Sequence, residues 1–350
     1  MVERLALSVD AMGGDAAPEM VVEGVDIAAS RLGDVEFLLF GDESQLQALL
    51  EHYPNAKKAS KIHHTTDVVL SDDKPAIALR GRRASSMRLS INAVGAGDAA
   101  AVISAGNTGA LMAMAKFVLK TLPGIDRPAI ATSFPTQRGS SVILDLGANI
   151  ECDANNLVQF AVMGEVFARN VLGVQKPSVG ILNVGVETLK GNDAVKGAAA
   201  ILQAETHLPI KFAGFVEGDD IGLGTVDVVV TDGFTGNVAL KTAEGTAKLF
   251  GSTLKQALMS SPLAKLGAVL AKPALTALKS KMDPRRYNGA MFLGLNGICV
   301  KSHGGTDGIG FANALQVAVD LAQNNINESI KADYGQLHAD AETSRKAVAG

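Results

Sequence analysis

The stretch Val226–Gly245, VDVVVTDGFTGNVALKTAEG, joins a short apolar run to a turn rich in Asp, Gly, Thr and Asn. The run Val228–Val230 is too short and too β-branched for a helix, which indicates a buried strand. From Asn237 onward the apolar residues recur at helical spacing, so DGFTGN predicts a strand-to-helix turn. Because N–H groups at a helix N-terminus carry partial positive charge, an anion is the expected occupant. Asp232 and Thr235 also suit plain capping of that helix, and both interpretations stay open.

Five further segments repeat this arrangement of a short apolar run followed by a cluster of Gly, Asn, Asp or Thr. They are LALSVDAMGGD, AVISAGNTGALMAMA, SVILDLGAN, VGILNVGVETLKGN and MFLGLNGICVKSHGGTDGIG. In an open α/β sheet, ligands collect where strands end and helices begin. The repetition therefore predicts several loops that converge on one sheet edge and form a ligand site there.

Strand-like and helical segments alternate along the chain, which predicts an α/β fold that is Rossmann-like, with a largely parallel sheet and helices on both faces. We expect one α/β catalytic domain over residues 1–330, or two intimately joined lobes, and a tail over 331–350. Residues 246–288 break the alternation, and Pro262 and Pro273 divide them into two helical patterns, which predicts a protruding helical hairpin. The predicted strands are Leu5–Val9, Val35–Phe40, Ala101–Ser104, Ala129–Phe134, Ser141–Leu144, Val179–Asn183, Ile210–Val216, Asp227–Thr231 and Met291–Val300.

The composition argues against several functional classes. A net charge of -4 and a pI near 5.9 provide no basic field, so we expect no nucleic-acid partner. No apolar stretch reaches the roughly 20 residues of a bilayer span, and the first residues lack a secretory leader, so a cytoplasmic protein is expected. Cys152 and Cys299 stand at no metal-binding or redox spacing, which is typical of small buried side chains in a reduced compartment.

The familiar nucleotide, nucleophile-elbow and paired-histidine motifs are absent, and we expect neither a metal nor a cofactor. The loops instead carry cations and amides: Lys190 and Asn192 in KGN, Lys241 one turn into a helix, and Lys301 and His303 after a strand. Such donors suit phosphate oxygens and a developing oxyanion. Taken singly, each of these residues also fits an ordinary solvated loop or helix position.

Six motifs follow one another along the chain. They are DAMGGD (10–15), SAGNTGALMA (104–113), DLGAN (145–149), KGN (190–192), DGFTGNVALK (232–241) and GLNGICVKSHG (294–304). In sequence and in order they resemble the bacterial phosphate acyltransferases of phospholipid synthesis, the PlsX family. The resemblance runs from the first strand to about Asn324. GGTD at 304–307 departs from the more serine-rich turn that the family pattern leads us to expect.

The resemblance implies transfer of an acyl group from acyl-carrier-protein to inorganic phosphate, which yields acyl phosphate. It also implies a homodimer and the fold of isocitrate and isopropylmalate dehydrogenases and of phosphotransacetylases. Phosphate is itself a nucleophile, so the protein has to hold it near the thioester and stabilise the oxyanion. A metal- and NAD-dependent dehydrogenase and a non-catalytic binding protein are the alternatives. The dehydrogenase would need a Tyr–Lys pair, and none of the chain's tyrosines lies in the loop motifs.

The loop chemistry and the resemblance together predict the residues of the site. We expect Lys190, Asn192 and Lys301 to contact phosphate or acyl phosphate, and Asn237 and His303 to assist the oxyanion or the departing thiolate. Nine further positions are expected to bind phosphate or substrate: Asp10, Gly13, Gly14, Asn107, Thr108, Asn149, Thr235, Gly236 and Lys241.

The segment ALRGRRASSMR holds the densest arginine cluster of the chain, formed by Arg80, Arg82, Arg83 and Arg88. The carrier protein that the resemblance implies is typically acidic, so electrostatic steering predicts that it docks here. The other interpretation is a solvated helix face.

Residues 246–282 hold six lysines and no acidic residue. Helical spacing aligns Leu263, Leu266 and Leu270, while Lys265 and Lys272 project to the sides, which predicts peripheral contact with the anionic inner face of the membrane. The alternative is that these leucines pack across a dimer interface. Membrane contact would bring the acyl phosphate to its expected consumer, a membrane glycerol-3-phosphate acyltransferase.

Overall fold

An 11-stranded sheet forms the centre of the computed structural model, which describes residues 4–204 and 210–335. The strands are β1 (Leu5–Asp10), β2 (Val35–Gly41), β3 (Ser60–His64), β4 (Ala101–Ser104), β5 (Ala129–Thr136), β6 (Gly139–Leu144), β7 (Ser178–Leu182), β8 (Lys211–Val216), β9 (Val228–Val230), β10 (Ala290–Leu293) and β11 (Ile298–Lys301). Their order across the sheet is β3-β2-β1-β4-β11-β10-β5-β6-β9-β7-β8.

Helices cover both faces of this sheet. They are α1 (Glu19–Leu32), α2 (Glu43–Leu50), α3 (Pro54–Ala59), α4 (Pro75–Gly81), α5 (Ser86–Ala96), α6 (Thr108–Leu119), α7 (Ala154–Val171), α8 (Asp193–Ala204), α9 (Gly218–Leu223), α10 (Gly233–Leu258), α11 (Pro262–Leu270), α12 (Lys272–Lys281) and α13 (Gly308–Gln323). Along β9, Val228 and Val230 pack into one buried apolar cluster and Val229 packs into another. Successive side chains of a strand point to opposite faces, so both faces of the sheet are buried.

The strands run in two opposite directions. β3, β2, β1, β4 and β11 are parallel to one another and form what we term the first wing. β6, β9, β7 and β8 are likewise parallel and form the second wing. Between them β10 and β5 pair antiparallel with each other and with their wing neighbours, β11 and β6. Three reversals in succession leave the second wing antiparallel to the first.

The predicted α/β fold with a mostly parallel sheet is confirmed, whereas the single shared edge is wrong. The carboxyl ends of the two wings lie at opposite edges of the sheet, because three successive antiparallel pairings, β11–β10, β10–β5 and β5–β6, lie between them. The predicted strand Met291–Val300 is in fact β10 and β11, joined by residues 294–297. β3, which pairs with β2 at the edge of the first wing, is not among the predicted strands.

The C-terminal part of the described chain is helical. Residues 326–335 form a helix, and Ile326, Ile330 and Tyr334 are buried on it. The boundary predicted at residue 331 therefore falls inside this helix, and residues 336–350 lie outside the described residues.

The side chains of helices α10, α11 and α12 contribute little to the hydrophobic core. Only Gly233 and Gly236 of the 26-residue α10 are buried, and no residue of α11 or α12 is. The predicted helices after Pro262 and around Pro273 are present, with a proline in the first turn of each. Across residues 4–204 and 210–335, no helix combines the length and apolarity that crossing a bilayer requires.

Candidate active site

A buried carboxylate organises the loops at the carboxyl end of the first wing. Asp10 ends β1 and accepts hydrogen bonds from Ser86 Oγ at 2.6 Å and from Ser104 Oγ at 2.7 Å. Burial raises the pKa of this carboxyl, and the two serine hydroxyls act against the rise because they stabilise the charged form. Asp10 thereby ties the end of β4 and the start of α5 to β1.

Lys301, the last residue of β11, lies largely buried beside this carboxylate. Its Nζ donates a hydrogen bond to the carbonyl of Ala105 at 3.2 Å and another to the carbonyl of Ser302. Burial lowers the pKa of Lys301 to about 8, and the negative charges of Asp10 and Asp15 oppose that change. An ammonium group has three N–H donors, so one remains for a ligand such as phosphate.

The SHGG turn that follows Lys301 is fixed by Asn288. The Asn288 side chain donates to Ser302 Oγ at 2.8 Å and accepts from the His303 backbone N–H at 2.9 Å. The His303 ring is exposed, and its Nδ1 accepts a hydrogen bond from the Gly305 N–H at 3.1 Å. The ring therefore presents Nε2 to any ligand held above the turn.

The glycine turn after β1 and the start of α6 lie beside Asp10, in the same group of loops. A Cβ at Gly13 would lie 2.4 Å from Asp10 Oδ2, and Gly14 has a φ of +121°. Asn107 caps α6 through its side-chain oxygen, and its Nδ2 donates to the carbonyls of Ser71 and Asp73. Thr108 is exposed in the first turn of α6, where free N–H groups attract an anion. We term this group, the loops after β1, β4 and β11, the first cluster.

A second buried carboxylate organises the other edge of the sheet. Asp145 follows β6 and accepts hydrogen bonds from the N–H groups of Ile130 at 2.8 Å and Asn149 at 2.7 Å, and from Asn149 Nδ2 at 2.9 Å. Asn149 Nδ2 also donates to the carbonyl of Pro128. Asn149 thus rigidifies the DLGAN loop from within. Burial raises the pKa of Asp145.

The DGFTGN turn packs directly on this loop. Asp232 caps α10 by accepting from the Thr235 N–H and hydroxyl, each at 2.8 Å, so Asp232 is the N-cap residue and Thr235 is its donor. A Cβ at Gly236 would lie 2.0 Å from the carbonyl oxygen of Asp145, so only glycine allows this approach. Asn237 follows it with its side chain exposed.

The KGN loop lies across a cavity from this turn. Asn192 caps α8 by accepting from the Val195 N–H at 2.9 Å. Lys190 is exposed and pairs with Glu187 at 2.8 Å, and Lys241 is exposed and pairs with Glu244 at 2.8 Å. The cavity measures about 370 Å³, and its lining is Ile150, Glu151, Cys152, Leu157, Asn192, Ala194, Val195, Asp232, Phe234 and Thr235. We term the loops after β6, β7 and β9 the second cluster.

The structure therefore divides the predicted site residues between two edges of one sheet. The first cluster holds Asp10, Gly13, Gly14, Asn107, Thr108, Lys301 and His303. The second holds Asn149, Lys190, Asn192, Thr235, Gly236, Asn237 and Lys241. Four residues that organise these loops are not among the predicted site residues: Ser86, Ser104, Asp145 and Asn288. Ser104 ends a predicted strand and Asp145 directly follows one, and a polar residue at such a position is a signal for a site. The sequence around Asn288 carries no comparable signal.

The two cysteines are poor nucleophiles in this structure. Burial raises the pKa of the Cys152 thiol to about 12, and nearby Asp145 and Asp232 add to that rise. Cys299 is fully buried in β11, which raises its pKa further above the usual value. Neither thiol is ionised near neutral pH, and the thiolate is the reactive form.

The arginine segment lies beside the first cluster, since Ser86, two residues before Arg88, contacts Asp10. Arg82 pairs with Asp67 and Asp73. Its guanidinium group therefore fixes the loop that carries these two carboxylates and is not a free cation on the surface. Arg88 lies 5.0 Å from the centre of the exposed Phe117 ring, and Lys120 Nζ lies 4.8 Å from the same ring. Arg80 and Arg83 are exposed.

Comparison with known proteins identifies the family. A family described as "Fatty acid synthesis protein" matches residues 5–329. The phosphate acyltransferase of Rhodospirillum centenum is 61% identical over 98% of this chain and 97% of its own, and that of Paramagnetospirillum magneticum is 60% identical over 96% of each. The chain belongs to this family. The fold is also that of a phosphotransacetylase from Streptococcus pyogenes, with a TM-score of 0.59 and 16% identity over 93% of this chain and 95% of that one.

The lowered pKa of Lys301 predicts the pH dependence of activity. Lys301 is charged below about pH 8 and neutral above it, so kcat/KM for the phosphate substrate should fall as the pH rises through that value. Lys301→Arg keeps its charge and should lose this alkaline decline, whatever its overall rate. The measurement is initial thiol release from pH 6.5 to 9.5. Lys57→Arg, on an exposed ion pair elsewhere, is the control. An equal decline in Lys301→Arg would contradict the assignment.

Proposed function

We propose that this protein transfers a fatty acyl group from acyl-carrier-protein to inorganic phosphate and so supplies acyl phosphate for phospholipid synthesis. One observation carries the proposal: a partly buried ammonium group, Lys301, and an exposed imidazole, His303, lie two residues apart, and neither cysteine thiol is ionised near neutral pH. Such a site suits a substrate that brings its own nucleophile. The high identity to phosphate acyltransferases agrees with it.

The proposed reaction needs no acyl-enzyme. A phosphate oxygen attacks the thioester carbonyl carbon, the C–O bond forms, and the C–S bond breaks as the carrier's thiolate leaves and takes up a proton. Lys301 offsets the phosphate charge, and the N-terminus of α6 with Asn107 and Thr108 adds backbone N–H donors. We propose that His303 Nε2, left free by the hydrogen bond to Nδ1, stabilises the oxyanion or protonates the departing thiolate.

The second cluster is proposed to serve the acyl donor and the oxyanion. Its cavity is walled in part by the apolar side chains of Ile150, Leu157 and Phe234. Its polar lining consists of Glu151, Asn192, Asp232 and Thr235. An apolar wall with a few fixed polar groups suits a thioester chain. We also propose that Asn237 contributes an amide donor to the oxyanion, and that Lys190 and Asn192 meet phosphate oxygens.

The direct mechanism makes a specific prediction about the thiols. The Cys152→Ala, Cys299→Ala double variant should convert acyl-carrier-protein and phosphate to acyl phosphate at a rate within about threefold of wild type, because neither thiol is ionised. The assay follows thiol release with phosphate and without it. His303→Ala, the matched variant in the first cluster, should lose about 100-fold. A folded but inactive double variant, or an acyl-enzyme detected by mass spectrometry, would show that the protein uses covalent catalysis.

The docking surface for the acidic carrier is proposed to be the cationic patch around Phe117. Arg80, Arg83 and Arg88 lie on the segment that leads into the first cluster, and Lys120 adds a further cation beside the Phe117 ring. Arg82 was predicted to belong to it, but its pairing with Asp67 and Asp73 favours a positioning role. Carboxylates of the carrier would meet these cations at the mouth of the site.

Charge reversal tests this surface. Arg83→Glu with Lys120→Glu should raise KM for the carrier substrate about tenfold at low salt with little change in kcat, because steering acts on association. The difference should shrink at high salt, where charges are screened. Lys58→Glu, an exposed reversal on α3, provides the control. An unchanged KM at low salt would exclude the patch.

We propose that the protein is a homodimer that works in the cytoplasm and rests on the inner face of the membrane, with α11 and α12 as a protruding hairpin. The apolar side chains of α11 are strongly exposed, with Leu263 at 79% and Leu270 at 77%. Lys265 and Lys272 flank this stripe and suit anionic headgroups. Acyl phosphate would then pass directly to a membrane glycerol-3-phosphate acyltransferase. We further propose that the fold is related to that of isocitrate and isopropylmalate dehydrogenases.

Liposome flotation tests the membrane contact. Leu266→Glu with Leu270→Glu should abolish flotation with anionic vesicles while soluble turnover and the dimer persist, because two charges on the stripe oppose insertion. Ile77→Glu, a similarly exposed apolar position on α4, is the control. If the double variant falls to monomers instead, the stripe belongs to the subunit interface. Undiminished flotation would assign membrane contact to another surface.

A further inference from the structure

We infer that Asn288 is a positioning residue for the proposed reaction, because its side chain takes the place of a missing piece of β10 and holds the backbone of His303. This inference rests on the proposed function and extends it to a residue outside the loop motifs. β10 and β11 pair antiparallel, and Ala290 opposite Lys301 is their outermost pair. The same register, continued by two residues, puts Asn288 opposite His303.

Gly289 ends the backbone pairing before it reaches that position. Its φ of +116° lies in the left-handed region, so the chain leaves the strand geometry there. A Cβ at Gly289 would lie 3.1 Å from Ala314 Cα, on α13. The backbone N–H of Asn288 donates to the carbonyl of Arg285 at 3.4 Å and so belongs to the preceding turn. The backbone N–H of His303 is therefore left for a side chain to bind.

The amide of Asn288 carries the same donor and acceptor atoms as a peptide bond, and it uses them on the protein. Its Oδ1 accepts from the His303 N–H at 2.9 Å. Its Nδ2 donates to Ser302 Oγ at 2.8 Å and to the carbonyl of Gly310 at 2.7 Å, which occupies both N–H groups. The residue is also only 9% exposed. Asn288 therefore acts on a substrate through the turn that it holds, without contacting the substrate itself.

The SHGG turn is thereby anchored from both neighbouring strands. On the β4 side, the backbone N–H of Ser302 donates to the carbonyl of Ser104 at 2.9 Å, and Asn288 supplies the bonds on the β10 side. The Gly305 N–H occupies Nδ1 of His303, so in the neutral imidazole Nε2 carries the proton. With its backbone and its tautomer both fixed, the ring presents its Nε2–H donor at one place. Misplacement of a reacting group by about 1 Å can cost on the order of 100-fold in rate.

A double-mutant cycle tests whether Asn288 acts through His303. Asn288→Ala should lower kcat by about 10- to 100-fold with little change in KM for the carrier substrate, because the turn loses three hydrogen bonds and the imidazole its place. In the His303→Ala background the same change should cost less than about threefold, since the group that it positions is already absent. Equal losses of kcat in the two backgrounds would show that Asn288 does not act through His303 and would overturn the inference.

Two further variants sharpen the cycle. Asn313→Ala removes a neighbouring side-chain bond, to the carbonyl of Arg285 at 2.8 Å, and should keep kcat near the wild-type value. A loss as large as that of Asn288→Ala would assign the effect to general packing of this region. Asn288→Asp keeps the shape of the side chain and an acceptor for the His303 N–H, and it replaces Asn288→Ala in the cycle if that variant does not fold. It should lose less rate than Asn288→Ala, and an equal loss would count against the inference.

A spectroscopic measurement reports the position of His303 without any turnover. Nitrogen-edited NMR identifies its imidazole signals by their absence from the His303→Ala spectrum. Wild type should show the single tautomer with the proton on Nε2, whereas Asn288→Ala should show the averaged signals of a ring that has lost its fixed place. Unchanged signals in a folded Asn288→Ala variant would overturn the inference. Wild type that makes no acyl phosphate would instead reject the proposed function, and the spectra would still test whether Asn288 holds this ring.

Discussion

Three successive antiparallel pairings in the middle of the sheet determine where every functional loop lies. Gln137 and Arg138 join β5 to β6, and residues 294–297 join β10 to β11. Connections this short allow only antiparallel pairing. Together with the antiparallel pairing of β10 with β5, these two hairpins turn the second wing around, so its carboxyl ends face away from those of the first wing. The position of a loop in space therefore follows from the direction of its strand, and motifs that look alike in sequence serve different edges.

Desolvation affects the ionisable groups of both clusters. It raises the pKa of Asp10 and of the two thiols, and it lowers the pKa of Lys301. Each change disfavours the charged form. For the cysteines this removes the nucleophile, whereas for Lys301 a positive charge persists at neutral pH in a place where water screens it little. Burial thus keeps both thiols un-ionised and, in the proposed mechanism, strengthens electrostatic stabilisation by Lys301 through the same physical effect.

The sequence predicts the elements and loops of this fold far better than their arrangement. Alternation of apolar residues and glycine-rich turns located most strands, because both signals are local. Neither signal carries strand direction, so the loops after β6 and β9 were assigned to the wrong edge. The role of Asn288 could not be predicted, because its partners, Ser302 and His303, are brought to it only by the β10–β11 hairpin. The ion pairs of Arg82 with Asp67 and Asp73 were hidden for the same reason.

A reaction whose substrate supplies the nucleophile makes positional demands, and backbone atoms meet most of them here. Gly236 permits its turn to touch the carbonyl of Asp145, and Gly13 permits the β1 turn to close on Asp10. Helix N-termini add fixed N–H donors without any titratable side chain. Removal of one polar side chain should therefore weaken a site of this kind. A Cβ at Gly236 would instead move the whole DGFTGN turn away from the DLGAN loop that Asp145 holds in place. The precision of the second cluster thus depends on packing between loops as much as on its exposed amides.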